Sequence, residues 1–288
     1  MSQSCKQEKP PIPILQSVRN LIDTLNGDFA VAYLNLASGE RLLIRENETF
    51  HAASTMKTPV MIEAFNYIKH RHQKMTDSIE VYNRFFSIVD SSEFSLTSDD
   101  DGDPDLYQLI GQKIPWTELI HRMIVRSSNL ATNILIDFLG AQNVTRSMRD
   151  LGAKDIQVLR GVEDIKAYEA GLSNTTTAYD LMMIYENLAN YRIVDSVSSQ
   201  TMIDILLEQE FNSLIPALLP DDVKVAHKTG WITGVHHDSG IVFLPDGQRY
   251  VLILLSKNVK DMEKADESLS AISRFIYDHV YEPVVTKR

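Results

Sequence analysis

Strand-like segments sit at the two ends of this 288-residue chain and helix-like segments fill its middle, a distribution that few folds satisfy. Near the start, Phe29 to Leu36 and Arg41 to Ile44 flank Ser38-Gly39-Glu40, which reads as a β-hairpin. Near the end, Val223 to Thr229, Gly240 to Leu244 and Tyr250 to Leu255 are strand-like, with Pro245-Asp246-Gly247 as the turn between the last two. Between these groups apolar residues recur at helical spacing. They do so up to about residue 72, from Trp116 to Leu151 with breaks at Ser127-Ser128-Asn129 and Gly140, and over 176–190 and 198–209. Further helices are predicted over 12–26 and 262–281. Strands from both termini pair most simply with one another. The pattern therefore predicts an α/β (α+β) fold: an antiparallel sheet built from N- and C-terminal strands, flanked by helices, with an all-helical lobe inserted. The expected division is a linker over 1–12 and one domain over 13–288, with a sheet lobe at about 13–58 and 215–288 and a helical lobe at about 59–214. A cleft between two lobes is the usual place for a site.

Composition removes several functions. A formal net charge of -11 is wrong for a general nucleic-acid binder, which needs a basic footprint. One cysteine, Cys5, permits neither an internal disulfide nor a cysteine-built zinc site. No apolar run approaches the roughly 18 residues of a membrane-spanning helix. The polar run Lys6 to Pro11 after Cys5 resembles the junction of a bacterial lipoprotein, where the cysteine would carry a lipid anchor; a free cysteine on a frayed terminus is the other reading. The acidic stretch Asp99 to Asp105 fails as a calcium loop, because Gly102 at its sixth place would make Thr97 the first ligand and Gln108 the twelfth. It is expected to be a solvated loop. His236-His237-Asp238 has metal-site composition without metal-site spacing, since neighbours on a strand point to opposite faces. No metal or cofactor is implied.

Three short motifs carry chemistry. Ser54-Thr55-Met56-Lys57 is an S-x-x-K, and Pro59 belongs near a helix start, so Ser54 is expected close to a helix N-terminus. Positions i and i+3 share a helix face, which brings the Lys57 amine toward the Ser54 hydroxyl. A serine alcohol is a poor nucleophile until a base takes its proton, and a lysine is that base only if its pKa falls. Ser127-Ser128-Asn129 by itself reads as a helix N-cap. Its functional reading gives Ser127 a proton-relay role and Asn129 an amide contact to substrate. Lys228-Thr229-Gly230 closes a predicted strand, where glycine permits close approach of a ligand to the backbone.

In that order, S-x-x-K, S-x-N and K-T-G resemble the active-site set of class A β-lactamases and penicillin-binding proteins. Ser127 to Asn133 is similar to the class A stretch S-D-N-x-A-x-N, with Ser128 in place of the aspartate, and Leu218-Leu219-Pro220 and Thr175-Thr176-Thr177 match as well. The resemblance runs from about residue 14 to near the end of the chain. It implies that Ser54 attacks a β-lactam or an acyl-D-Ala-like peptide carbonyl and forms an acyl-enzyme. Lys57 would be base or relay, and Ser127 would pass the proton to the leaving nitrogen. Lys228, Thr229 and Gly230 would hold the substrate carboxylate end, with the oxyanion between the backbone N–H groups of Ser54 and Trp231. The family arginine for that carboxylate has no match near the last strands, where Trp231 and His236-His237 stand instead.

Deacylation in class A enzymes uses a glutamate within E-x-x-x-N. Arg160-Gly161-Val162-Glu163-Asp164 lies in the right region, but the position four after Glu163 is Ala167. Glu163 is then either the hydrolytic base, held by Asn133, or a surface carboxylate in a solvated turn. The expected activity is β-lactam hydrolysis; a D,D-peptidase, an esterase or a covalent β-lactam sensor with slow deacylation is the alternative. Such substrates are met outside the cytoplasm, so a periplasmic or other extracytoplasmic location is expected.

Overall fold

In the computed structural model, which describes residues 14–281, the terminal segments meet in one five-stranded antiparallel sheet. Cys5 and the linker over 1–12 lie outside the described residues. The strands are β1 (Asp28–Asn35), β2 (Arg41–Ile44), β3 (Lys224–Ile232), β4 (Val235–Phe243) and β5 (Arg249–Lys257). Their spatial order is β2-β1-β5-β4-β3, so the first and last strands of the sequence are hydrogen-bonded neighbours, with Asp28 opposite Lys257 and Tyr33 opposite Leu252.

Alternation along the strands divides the apolar residues between two cores. Phe29, Val31, Tyr33, Leu252 and Leu254 pack with Val18, Ile22, Leu269, Ile272 and Ile276 of α1 (Ile14–Ile22) and α9 (Met262–Val280). Ala30, Ala32, Leu34, Val251, Ile253 and Leu255 join the larger cluster on the opposite face. That cluster includes α2 (Lys57–His70), α3 (Trp116–Val125), α4 (Asn129–Leu139) and α5 (Ala141–Asp150). Because both faces are covered, β1 and β5 are buried along almost their whole length and read in the sequence as unbroken apolar runs.

The long helical stretch breaks at both predicted points. Gly140 ends α4 with φ +80° and donates its N–H to Ile136 O. A short α6 (Ile165–Glu169) follows in the loop, and then α7 (Ala178–Ala189) and α8 (Ser196–Leu207), each opened by a side-chain cap, Thr177 and Asp195. Three two-stranded ribbons escaped prediction: Phe50–His51 with Thr175–Thr176, Ser78–Glu80 with Lys113–Pro115, and Phe85–Phe86 with Glu93–Phe94. Among the described residues no helix is long and apolar enough to cross a membrane.

Two expectations need correction. The fourth strand does not begin at Gly240 but at Val235, drawing His236, His237, Asp238 and Ser239 into the sheet. A polar run is stable there because each member has a partner: His227 and Asp266 engage Asp238 and His236, and the carbonyls of His51 and Lys228 engage His237 and Ser239. The acidic stretch is not simply solvated either. Asp99, Asp100 and Asp105 are exposed, but Asp101 and Asp103 are buried, and Asp103 accepts from Arg122 at 2.8 Å and Arg126 at 3.1 Å. Gly102 between them lies so close to the Arg126 carbonyl that any Cβ would overlap it.

Candidate active site

Ser54 sits in a single 3-10 turn, Ala53–Met56, that runs directly into α2. The turn is held from its N-terminal side, where Ala53 takes φ +44° and donates its N–H to His51 Nδ1 at 3.0 Å. Ser54 opens onto a cleft of about 980 Å³ that is also lined by Ser127, Asn129, Glu163, Thr229 and Trp231. Strand β3 forms the opposite wall. A Cβ on Gly230 would stand 3.0 Å from Ser54 N and 3.1 Å from Thr55 N, so glycine is what lets this strand pass so close to the nucleophile's turn.

Lys57 is fully buried behind Ser127 and Asn129, which line the cleft. Its Nζ donates to Ser127 O at 2.6 Å, Asn129 Oδ1 at 2.9 Å and Ser127 Oγ at 3.1 Å, so all three donors of the ammonium are occupied by the S-S-N segment and none by Ser54 Oγ. Lys228, also fully buried, donates to the same Ser127 Oγ at 3.1 Å and to Thr229 O at 3.0 Å. One hydroxyl thus bridges two amines in a desolvated site. Burial lowers the Lys57 pKa to about 7, against the opposing pull of Asp101 and Glu163. Burial, and then the neighbouring Lys57, hold Lys228 well below the ordinary lysine range, with Asp238 opposing.

Asn129 completes the chain of contacts. While its Oδ1 accepts from Lys57, its Nδ2 donates to Glu163 Oε1 at 2.7 Å. Glu163 is therefore a cleft residue and not a solvated surface carboxylate. Burial raises its pKa; the Asn129 hydrogen bond partly counters that, while Asp101 and Asp100 add to the rise. Asn133 falls elsewhere than expected. It does not reach Glu163: its Oδ1 accepts from Val162 N at 2.6 Å and its Nδ2 donates to Val162 O at 3.0 Å. It is buried, absent from the cleft wall, and holds the loop one residue before the glutamate.

Sequence reasoning missed Asp101. From the acidic loop its carboxylate accepts from Asn129 N at 3.0 Å, Leu130 N at 2.8 Å and Tyr107 Oη at 3.0 Å, joining Ser128, the local N-cap, at the start of α4. The signal was Ser128 itself, standing where the resembling motif has an aspartate, with a run of carboxylates upstream.

At the rim, Trp231 is 64% exposed, and His236 is tied to Asp266 at 2.7 Å. His237 turns the other way, toward His51 O, and burial holds its pKa at about 4. Arg160 lines the cleft, but its Nε and Nη1 donate to the Leu172 and Gly161 carbonyls. Among the described residues no group of three or more His, Cys, Asp or Glu side chains is placed to hold a metal ion.

A nucleophilic alcohol at a helix entry, with amine and carboxylate partners already desolvated beside it, is acyl-transfer equipment, and the class that fold and cleft define is the serine hydrolases. The chain belongs to the beta-lactamase enzyme family, whose model matches residues 13–280. A β-lactamase of Bacteroides uniformis is 27% identical over 201 residues, 61% of this chain and 66% of that relative, just under two thirds of its length. β-Lactamase ROB-1 of Haemophilus influenzae is 24% identical over 261 residues, 88% of this chain and 80% of the relative. Among solved structures, a β-lactamase from Sphaerobacter thermophilus has a TM-score of 0.79 at 22% identity, covering 94% of this chain and 98% of its own. PBP-A has a TM-score of 0.78 at 26% identity, covering 96% and 99%.

Proposed function

We propose that the protein hydrolyses the amide bond of β-lactams through an acyl-enzyme on Ser54. The observation that carries this reading is the buried Lys57–Ser127–Lys228 chain, in which one amine has a pKa of about 7 and so is available as a base near neutral pH. Neutral Lys57 accepts the Ser54 proton as Oγ bonds to the lactam carbonyl carbon. The negative charge that develops on the lactam carbonyl oxygen is taken up by the N–H groups of Ser54 and Trp231. As the carbon–nitrogen bond breaks, Ser127 hands a proton to the departing nitrogen and recovers one from the amine side. Lys228 and Thr229, beside the close-packed Gly230, bind the substrate carboxylate, whose negative charge opposes the burial effect and favours the ammonium form of Lys228, so that the contact is charge-assisted. Asn129 touches the acyl side chain while keeping Lys57 and Glu163 in register.

Glu163 serves deacylation. It removes a proton from a water whose oxygen attacks the acyl carbon, and Ser54 leaves with its proton restored. The raised pKa of its carboxyl is suited to a general base. Support from relatives includes a mutant of PBP-A solved as its acyl-enzyme complex with penicillin G. The substrate sets an extracytoplasmic location, and a lipid anchor on Cys5 would fix the protein there; globomycin-sensitive lipid labelling tests that anchor.

The function is tested by following intact mass through a time course with penicillin G. An adduct that forms and clears while drug is consumed, absent in Ser54→Ala and persistent in Glu163→Gln, is expected. A wild-type adduct that never clears would replace hydrolysis with a penicillin-binding peptidase or sensor, and acyl-D-Ala-D-Ala peptides would then be the substrates to assay.

A further inference from the structure

Glu163 stands at φ +61°, a left-handed backbone that a residue with a Cβ keeps only where its flanks impose it. On one flank Asn133 grips both backbone polar atoms of Val162. On the other flank is Asp164, which is buried and accepts three hydrogen bonds. Its Oδ1 takes Ser87 Oγ at 2.8 Å and Ala167 N at 3.1 Å, and its Oδ2 takes Ile88 N at 2.9 Å. Ser87 and Ile88 belong to the turn of the ribbon formed by Phe85–Phe86 and Glu93–Phe94, remote in sequence from the loop. The same ribbon holds the loop again through Lys166, whose Nζ donates to Asp90 Oδ2 at 2.6 Å and Ser92 Oγ at 2.8 Å. The position four residues after the glutamate adds no side-chain anchor of its own, since Ala167 engages through its backbone alone, donating its N–H to Asp164 and accepting from Leu172 N.

We propose that Asp164, fastened to the turn of the 85–94 ribbon, is the positioning residue that holds Glu163 over the acyl-enzyme, making the ribbon part of the deacylation machinery. Asp164 lines the same cleft, but both its carboxylate oxygens are engaged by the ribbon turn and Ala167 N, so it acts through the backbone and not on the reacting atoms. It fixes the backbone from which Glu163 projects, so its loss leaves the carboxylate present and misaimed. The inference rests on Glu163 being the deacylating base. The hydrogen bonds that tie Lys57 and Lys228 to Ser127 involve neither the ribbon nor Asp164, and Glu163 reaches Lys57 only at one remove through Asn129, so a shift of the loop falls on deacylation far more than on acylation.

Stopped-flow acylation and intact-mass deacylation with penicillin G, on Asp164→Ala, Asp164→Asn, Ser87→Ala and Glu163→Gln, test it. A misplacement of about 1 Å at a reacting group costs on the order of 100-fold, so Asp164→Ala should deacylate about 10- to 100-fold more slowly. Its acylation rate constant should stay within about threefold of wild type, so kcat and KM fall together and kcat/KM is preserved. Asp164→Asn, which keeps an acceptor oxygen, should recover part of the loss, and Ser87→Ala, which removes one bond of three, should show a smaller loss of the same kind. If Asp164→Ala and Ser87→Ala deacylate at the wild-type rate while Glu163→Gln stalls, the positioning role is overturned and the base survives. Equal slowing of both steps in Asp164→Ala, or its failure to fold together with a Ser87→Ala that slows both steps, would make the contact merely structural. Wild-type deacylation in Glu163→Gln would remove the base and this inference with it.

Discussion

Adding one methyl group to strand β3 tests how closely the strand and the nucleophile's turn depend on each other. In Gly230→Ala the new Cβ would lie 3.0 Å from Ser54 N, 3.1 Å from Thr55 N and 3.2 Å from Ala53 Cβ. These distances fall short of ordinary carbon–nitrogen and carbon–carbon contact, so turn and strand must separate by a few tenths of an ångström. Two of the three obstacles are backbone, and the turn is already constrained by Ala53 at φ +44°, so there is no flexible side-chain end to swing aside. Overpacking of this kind costs about 1–3 kcal/mol, and at roughly 2–4 °C per kcal/mol the melting temperature should fall by about 2–12 °C with the fold retained. The catalytic effect should be larger. Ser54 N and Trp231 N, the two proposed oxyanion donors, sit on the two surfaces being pushed apart. Complete loss of one such donor costs about 100- to 1,000-fold in kcat, so a partial displacement should slow acylation by about 10- to 100-fold. The assay is single-turnover acylation with a chromogenic cephalosporin, read beside a thermal melt. Acylation within about twofold of wild type in a folded Gly230→Ala would refute the reasoning, because the donors could not then be placed where this contact puts them.

Other outcomes follow from the same geometry. Acylation should rise with pH through about 7, because burial makes Lys57 give up its proton there and only the neutral amine can accept one from Ser54; a single-turnover rate flat between roughly pH 5.5 and 8.5 would exclude it as the base. Deacylation should weaken on the acid side at a pH above the usual carboxylate range, as Glu163, whose pKa burial raises, becomes protonated; Glu163→Gln should abolish that limb. Asp101→Ala should leave the Asn129 and Leu130 amides without their carboxylate, costing about 1–2 kcal/mol by urea titration and slowing acylation through a loosened Ser127–Asn129 segment. Asp103→Ala should cost more, about 3 kcal/mol, at the low end for breaking a buried ion pair because Arg122 and Arg126 keep partial access to water. A stability change below about 1 kcal/mol in Asp103→Ala would show that its ion pairs with Arg122 and Arg126 do not hold the loop to the fold.

How much of this was legible in the chain depends on the range of the interaction. The sheet strands β1, β2, β3 and β5, the main helices and the breaks at Ser127-Ser128-Asn129 and Gly140 are written locally, in apolar period and in turn residues. The motifs Ser54 to Lys57, Ser127 to Asn129 and Lys228 to Gly230 were likewise readable, since catalytic chemistry demands particular side chains at short spacings. The start of β4 at Val235 was not, because His236, His237 and Asp238 look like a polar break until His227, His51 and Asp266 arrive from elsewhere to satisfy them. Asp101 gave the same difficulty: among neighbouring carboxylates, nothing local distinguishes the one that turns inward onto the α4 amides. Neither the assignment of Glu163 to Asn129 and of Asn133 to Val162, nor the ribbon that holds Asp164, has any trace in residue order. Residue order thus sets the elements and the reactive groups, whose signals lie within a turn or two of helix or a few residues of strand. Which polar groups are buried together is settled by folding, because a hydrogen bond or a pKa depends on the atoms brought within about 3 Å, and most of those come from distant parts of the chain.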